Sequence, residues 1–232
     1  MGWCFGAGGR QHGQQYLDRA LVLGLLAAAY GLFMGGYMTY SSRVGKLKTR
    51  ERLLNAVGTV RPWQGNEAVL DVGCGRGLMV VGAAKRLHKA MAGCAVGIDL
   101  WRAVDQADNT PESARHNAHT EGVADRTHID TGDARALPYL DGSFDVVLSH
   151  WVVHNLEEAS DRLRVLYEML RVLRPGGVLA LADIAEATTY SDHLQARGVS
   201  GLQVFDGGLE ARLMGVLSGG TFCPQALIAV RH

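Results

Sequence analysis

An α/β fold is what the sequence predicts: a mostly parallel, seven-stranded sheet with an antiparallel last strand and helices on both faces, preceded by an N-terminal hydrophobic helix. Three observations carry this expectation. From residue 68 onward, short apolar runs alternate with helix-period segments, the order that builds a parallel sheet. The stretch "VLDVGCGRGLMV" (69–80) joins a strand to a helix through glycines at alternate positions. And 232 residues suit one core with an appendage better than two full domains, since a single core stays efficient up to about 250 residues.

The segments are taken in order. Residues 1–19 read as a tail. From Ala20 to Met38 run nineteen residues without a charge, close to the ~20 that span a hydrocarbon core as a helix. Tyr30, Tyr37 and Tyr40 supply interfacial aromatics, and Arg43, Lys46, Lys48, Arg50 and Arg52 follow, which places the downstream side in the cytosol. The expectation is a membrane-associated chain, with residues 20–40 in or on the bilayer and the globular part, 41–232, facing the cytosol. A helix packed on the domain or lying at an interface stays open, because the segment holds four glycines. Gly31 and Gly35 have the GxxxG spacing that could pack two such helices into a homodimer. A cleaved signal peptide fits less well, since the apolar run exceeds its usual length and a basic flank follows.

Residues 49–57, "TRERLLNAV", read as a short amphipathic helix, and "RPWQGNEA" as the loop into the first strand. The pattern then predicts strand 68–73, helix 77–88, strand 94–99, helix 111–121, strands 127–131 and 144–149, helix 156–173, strand 177–183, helix 189–197, and strands 201–206 and 225–231. Thr110 before Pro111 caps a helix start, Gly122 ends that helix, and "RPGG" (174–177) separates the long helix from its strand. No helix of adequate length separates the last two strands, so they should pair antiparallel. Asp145 opens its strand about 13 Å from the carboxyl end at ~3.3 Å per residue, which makes it structural.

Composition narrows the function. The chain has 23 basic and 23 acidic residues, so the charge excess that nucleic-acid binding requires is missing. Cys4, Cys74, Cys94 and Cys223 are scattered, without disulfide or zinc-ligand spacing.

In open parallel sheets ligands bind at the carboxyl ends of the strands, at a switch in strand order. A glycine loop running from a strand into a helix there lets an anionic group meet backbone N–H groups. Gly73, Gly75 and Gly77 form such a loop. The dinucleotide fingerprint G-x-G-x-x-G would need a glycine where Leu78 stands, so a pyrophosphate cradle is disfavoured.

"VLDVGCGRG" resembles the first motif of the class I S-adenosylmethionine-dependent methyltransferases. "VGIDLW", "TGDARALP", "FDVVLSHWVVHNL" and "VLRPGGVLALADI" follow in the family's order, so that the resemblance covers about residues 66–183. It implies the Rossmann-like fold of that family and S-adenosyl-L-methionine as co-substrate, with S-adenosyl-L-homocysteine as product and no metal. It implies that Asp71, Gly73, Cys74 and Gly75 wrap the aminocarboxypropyl arm, Asp71 helping to hold the ammonium. Asp99 would bond the ribose hydroxyls, a role suited to a carboxylate's two acceptor oxygens. Asp133 and Ala134 would contact adenine, the carboxylate accepting from its amine. Leu100, Trp101, Ser149 and His150 complete the implied cofactor set, with Trp101 placed to cover adenine.

A sulfonium methyl is already electrophilic, so the protein's task is to hold a nucleophile in line and, for a hydroxyl or ammonium, to take its proton. His154 and His150, just past the fourth strand, are placed to do so; as polar residues at a helix start they would need no catalytic role. The connection "WRAVDQADN" (101–109) exceeds the usual strand-to-helix length. Arg102, Asp105, Gln106 and Asn109 could line the acceptor mouth from it or form a solvated loop. His116 and His119 share a helix face and read as solvated. Some eight residues, reaching at most ~27 Å, separate the hydrophobic segment from the domain. A small acceptor that is lipophilic or partitions into membranes follows from that tether. The alternatives are a catalytically silent cofactor-binding module tethered to a membrane, an arsenite-type methyltransferase, for which the thiols are too dispersed, and a nicotinamide-dependent reductase.

Overall fold

The computed structural model describes residues 7–102, 104, 107–184, 187–206, 215–216 and 224–232. The chain divides into two units, Met1–Leu47 and Lys48–His232. The first is helix α1 (Ala7–Tyr40) followed by a π-helical turn, Ser41–Gly45. Ala, Leu and Gln favour a helix, and no proline interrupts them. The helix starts well before Ala20, so the uncharged run occupies its second part. Leu17, Leu21, Leu23, Leu25, Leu26, Leu32 and Phe33 are all exposed. It is long and apolar enough to cross a membrane.

The second unit begins within helix α2 (Lys46–Val60), which buries Leu53, Leu54 and Val57 on one face. The indole of Trp63 donates to Leu54 O (3.1 Å) and folds the following loop back onto this helix. Next come β1 (Ala68–Val72), α3 (Leu78–Ala84), β2 (Cys94–Asp99), α4 (Pro111–Thr120), β3 (Thr127–Thr131), β4 (Phe144–His150), α5 (Ala159–Val172), β5 (Leu173–Asp183), α6 (Ala187–Gln195), β6 (Val199–Asp206) and β7 (Gln225–Arg231). The strands form one sheet in the order β3-β2-β1-β4-β5-β7-β6. The first five are parallel, and β7 inserts between β5 and β6, antiparallel to both.

Alternate strand residues serve opposite faces. Val69, Val146, Leu148, Val178 and Ala180 pack with α2, α3 and α4, whereas Leu70, Val72, Val147, Leu179 and Leu181 pack with α5 and α6. Both faces are buried, which explains why β4 reads as a nearly continuous apolar run. Asp145, at the amino end of β4, accepts from Arg61 Nη1 (2.8 Å), Arg174 Nη1 (2.9 Å) and Ala68 N (2.9 Å). It clamps the end of the sheet opposite the glycine loop, as its position in the sequence implied.

Several boundaries differ from the sequence expectation, among them α2, which runs over Lys46–Val60, and three others have a visible cause in the backbone bonding. Helix α3 ends at Ala84, because Arg86 N and Leu87 N turn back to Ala83 O and Ala84 O while His88 N donates to Gly65 O. Helix α5 starts at Ala159, because a 3₁₀ turn at Val153–Asn155 precedes it. Strand β5 begins at Leu173: the register passes from Phe144↔Leu173 to Val146↔Val178, so "RPGG" is a bulge within the strand.

Candidate cofactor and acceptor site

The strand order reverses between β1 and β4, and the carboxyl ends of strands at such a reversal are where open α/β sheets bind ligands. On the β1 side, Gly73 (φ +72°), Gly75 (φ +50°) and Gly77 (φ +89°) are all left-handed, a conformation an L side chain would strain. The loop is pinned from below by Gly73 N and Cys74 N, which both donate to Ile98 O (2.8 and 3.1 Å). Asp71 is buried beneath it and accepts from Val80 N (2.8 Å) in the first turn of α3. Burial raises its carboxyl to about 7; the Val80 N–H opposes this shift and the charge of Asp99 adds to it.

A Cβ on Gly73 would come within 2.4 Å of Val152 Cγ2, and one on Gly97 within 2.8 Å of Cys74 Sγ. The first glycine of the loop thus admits a side chain from beyond β4. Cys74 is buried against β2, and burial pushes its thiol up.

Asp99 closes β2. Its Oδ2 accepts from Gly75 N (2.9 Å), and its Oδ1 accepts from Trp101 N (2.8 Å) and Asn109 Nδ2 (3.3 Å). One carboxylate therefore fixes the glycine loop against both ends of the long 101–109 connection. Leu100 is exposed, and Trp101 (φ +58°) rests on the core with its indole donating to Thr131 Oγ1 (2.7 Å) at the end of β3. Asp133 lies just past β3 and accepts from Arg135 N (2.9 Å), Nε (3.0 Å) and Nη2 (2.7 Å). Arg135 also reaches Asp161 (2.8 Å), and its hydrogen bonds hold the Asp133 carboxyl below its ordinary value. The acceptor sites foreseen for an adenine amine are thus shared with a guanidinium. Ala134 is half-buried against the α5 face.

On the β4 side, Ser149 is buried and donates to Val72 O (3.0 Å), tying β4 to β1. His150 stacks on Trp151 at 4.9 Å and 15°, and Trp151 is left-handed (φ +59°) with its N–H on Ala182 O. His154 has a partner that the sequence did not reveal. Its Nδ1 pairs with Asp183 Oδ1, and its backbone N–H donates to Asp183 Oδ2 (3.1 Å). Asp183 ends β5, is 1% exposed, and also accepts from Ile184 N (2.8 Å). An acidic residue closing the apolar run "VLALAD" was the available signal.

The structure therefore gathers Asp71, Gly73, Cys74, Gly75, Asp99 and Trp101 on the β1–β2 side of the reversal in strand order and Ser149, His150 and His154 on the β4 side. His116 and His119 lie elsewhere, exposed in an open groove over the edge strand β3. Cys4, Asp105, Gln106 and Cys223 lie outside the described residues.

Residues 70–181 match a family described as a methyltransferase domain. The chain is 40% identical over 124 residues to the methyltransferase GfsG of Streptomyces halstedii, which covers 53% of this chain and 40% of that protein. It is 35% identical over 132 residues to the 27-O-demethylrifamycin SV methyltransferase of Amycolatopsis mediterranei, covering 57% and 44%. The match thus spans less than half the length of these curated relatives. Among solved structures, the [4+2]-cyclase SpnF superposes with a TM-score of 0.58 at 21% identity, over 78% of this chain and 80% of that one. That likeness concerns the fold.

Proposed function

We propose that the chain is a class I S-adenosylmethionine-dependent methyltransferase, in keeping with the methyltransferase-domain match over residues 70–181, and that it transfers a methyl group from S-adenosyl-L-methionine to a hydroxyl of a small, lipophilic acceptor. The residues fit that co-substrate. The left-handed glycines leave bare backbone at the end of β1, and Asp99 presents a carboxylate beside it. Gly73, Cys74 and Gly75 would line the amino-acid arm, with buried Asp71 adding negative charge. Asp99 would receive the ribose; Leu100, Trp101, Asp133 and Ala134 would border the base, and Ser149 and His150 the arm from the β4 side. When bound, the co-substrate supplies a methyl group already activated by a sulfonium.

What the protein adds is position and a proton acceptor. A carboxylate against Nδ1 of His154 favours the tautomer with its hydrogen there, which leaves Nε2 as the ring's accepting nitrogen. His154 Nε2 can then take the proton from an acceptor hydroxyl. The backbone bond from His154 to the same carboxylate fixes the turn as well as the ring. This pair, one strand removed from the glycine loop across the reversal in strand order, is the observation that carries the reading. A relative named for 27-O-demethylrifamycin SV is in keeping with a hydroxyl acceptor.

The length and exposure of α1 support the membrane part: the chain would be anchored through residues 20–40 and would take its acceptor from the bilayer.

The test is formation of S-adenosylhomocysteine by the full chain in vesicles, with hydroxyl acceptors of graded lipophilicity. His154→Ala should lower kcat about 10²- to 10⁴-fold, the usual contribution of a general base. Asp183→Asn should also slow turnover while leaving S-adenosylhomocysteine affinity unchanged. Undiminished turnover in His154→Ala removes the base, and equal rates with soluble and lipophilic acceptors remove the membrane supply.

A further inference from the structure

Asn109 is 5% exposed and stands immediately before the N-cap of α4. Its Nδ2 has two acceptors, Asp99 Oδ1 at 3.3 Å and Arg102 O at 3.4 Å. Both neighbours accept, which fixes the amide's orientation. The remaining atom, Oδ1, is buried and has no donor among the described residues. A buried acceptor left in this state is costly, and native structures rarely keep one without a use.

The backbone that holds Asn109 inward is strained as well. Asp108 has φ +54°, and Thr110 N donates to Asp108 O only two residues back (3.0 Å). At the other end of the same connection Trp101 is also left-handed. Two non-glycine residues in this region, each uncommon, therefore bracket one amide and one carboxylate. Side chains so arranged, one with free acceptor capacity and one with an unpaired carbonyl oxygen, suit a ligand bringing two adjacent hydroxyl donors.

We infer that Asn109 binds the cofactor's ribose: its Oδ1 accepts one hydroxyl of the vicinal diol while Asp99 accepts the other. The inference rests on the methyltransferase reading above. As the structure stands, Oδ1 is closed off by the turn around it. The diol reaches it as the two long Nδ2 contacts loosen. In the sequence Asn109 reads only as a residue that could line the acceptor mouth; its contact with Asp99 is what assigns it to the ribose instead.

Calorimetry with S-adenosylhomocysteine and its 2′-deoxy and 3′-deoxy analogues, on the full chain and on Asn109→Ala, tests this without turnover. The loss of one hydrogen bond should weaken S-adenosylhomocysteine about 5- to 10-fold. The analogue lacking the hydroxyl that Asn109 receives should bind both proteins about equally, because for it nothing is removed. Equal weakening of all three ligands would mean that Asn109 only shapes the loop, and no weakening would make it a bystander; either overturns the inference and leaves the methyltransferase reading intact. No heat with the unaltered chain overturns the reading itself, and the inference with it. Should Asn109→Ala fail to melt cooperatively, Asn109→Ser is compared across the same three ligands by the same criteria.

Discussion

Asp71 sits where two demands on one carboxyl conflict. Burial favours its protonated form, the Val80 N–H favours the ionised one, and the charge of Asp99 works against ionisation again. The balance places its titration at about 7, against an ordinary value of 3.8. Between pH ~4 and ~7 the folded chain therefore keeps a proton that the unfolded chain has released. Stability should fall as pH rises through that window, by at most ~1.4 kcal/mol per pH unit for one proton, and level off above it. Cofactor binding should have the opposite slope. A ligand carrying an ammonium and a sulfonium favours ionised Asp71, so its affinity should rise with pH towards 8 and binding should release a proton. Asp71→Asn keeps an acceptor for Val80 N–H and removes the titration. Denaturant melts and calorimetry in buffers of differing ionisation heat, from pH 5 to 8, should show both slopes flattened in that variant. Slopes that persist in Asp71→Asn would assign them to another group.

At the scale of elements, the loop after β1 and the turn after β4 are fitted to each other through one missing methyl. Gly73→Ala should bring its Cβ into Val152 and strain a left-handed backbone as well. Overpacking of this kind costs typically ~1–3 kcal/mol, and a left-handed L residue a further ~1–2. Val152→Ala in the same chain relieves the first cost but not the second. The double variant should therefore recover part of the stability lost in Gly73→Ala, measured by chemical denaturation; strictly additive losses would mean that the two loops do not meet. The glycines themselves were visible in the sequence, as were β2, β3 and β7, whose ends carry turn or charge signals. What fills Gly73 was not, because Val152 approaches from a loop far along the chain. His154 was found from its place past β4, yet its carboxylate belongs to β5, 29 residues on. The Arg135 contact is illegible in the sequence for a different reason: it joins near neighbours, and nothing in "GDAR" says whether Asp133 keeps its oxygens for a ligand or yields them to the adjacent guanidinium. Local pattern locates elements and their ends; contacts between elements distant in sequence depend on the strand order, and the place of β7 between β5 and β6 follows no local signal.

On the scale of the whole molecule, the division between Leu47 and Lys48 separates two solutions to apolar surface. From Lys48 onward apolar residues are enclosed by the sheet and its helices, with Leu54, Val57, Leu70 and Leu148 fully buried. Among the described residues of α1, the leucines and Phe33 are exposed around the helix, and a hydrocarbon environment suits such a circumference. Leu, Ile, Phe and Val each contribute about −0.3 to −0.6 kcal/mol when placed at the centre of a bilayer-spanning helix, and the uncharged run from Ala20 to Met38 has several such residues. The full chain should therefore stay with vesicles through a carbonate wash. A chain beginning at Lys48 should remain soluble, melt at the same temperature as the membrane-free portion of the parent, and bind S-adenosylhomocysteine with unchanged affinity, because none of the residues assigned to the cofactor precedes it. Turnover should separate the two proteins only for acceptors dissolved in the bilayer. If the truncated chain aggregates or loses affinity, α1 is part of the folded unit; if it still pellets with vesicles, the anchor lies elsewhere.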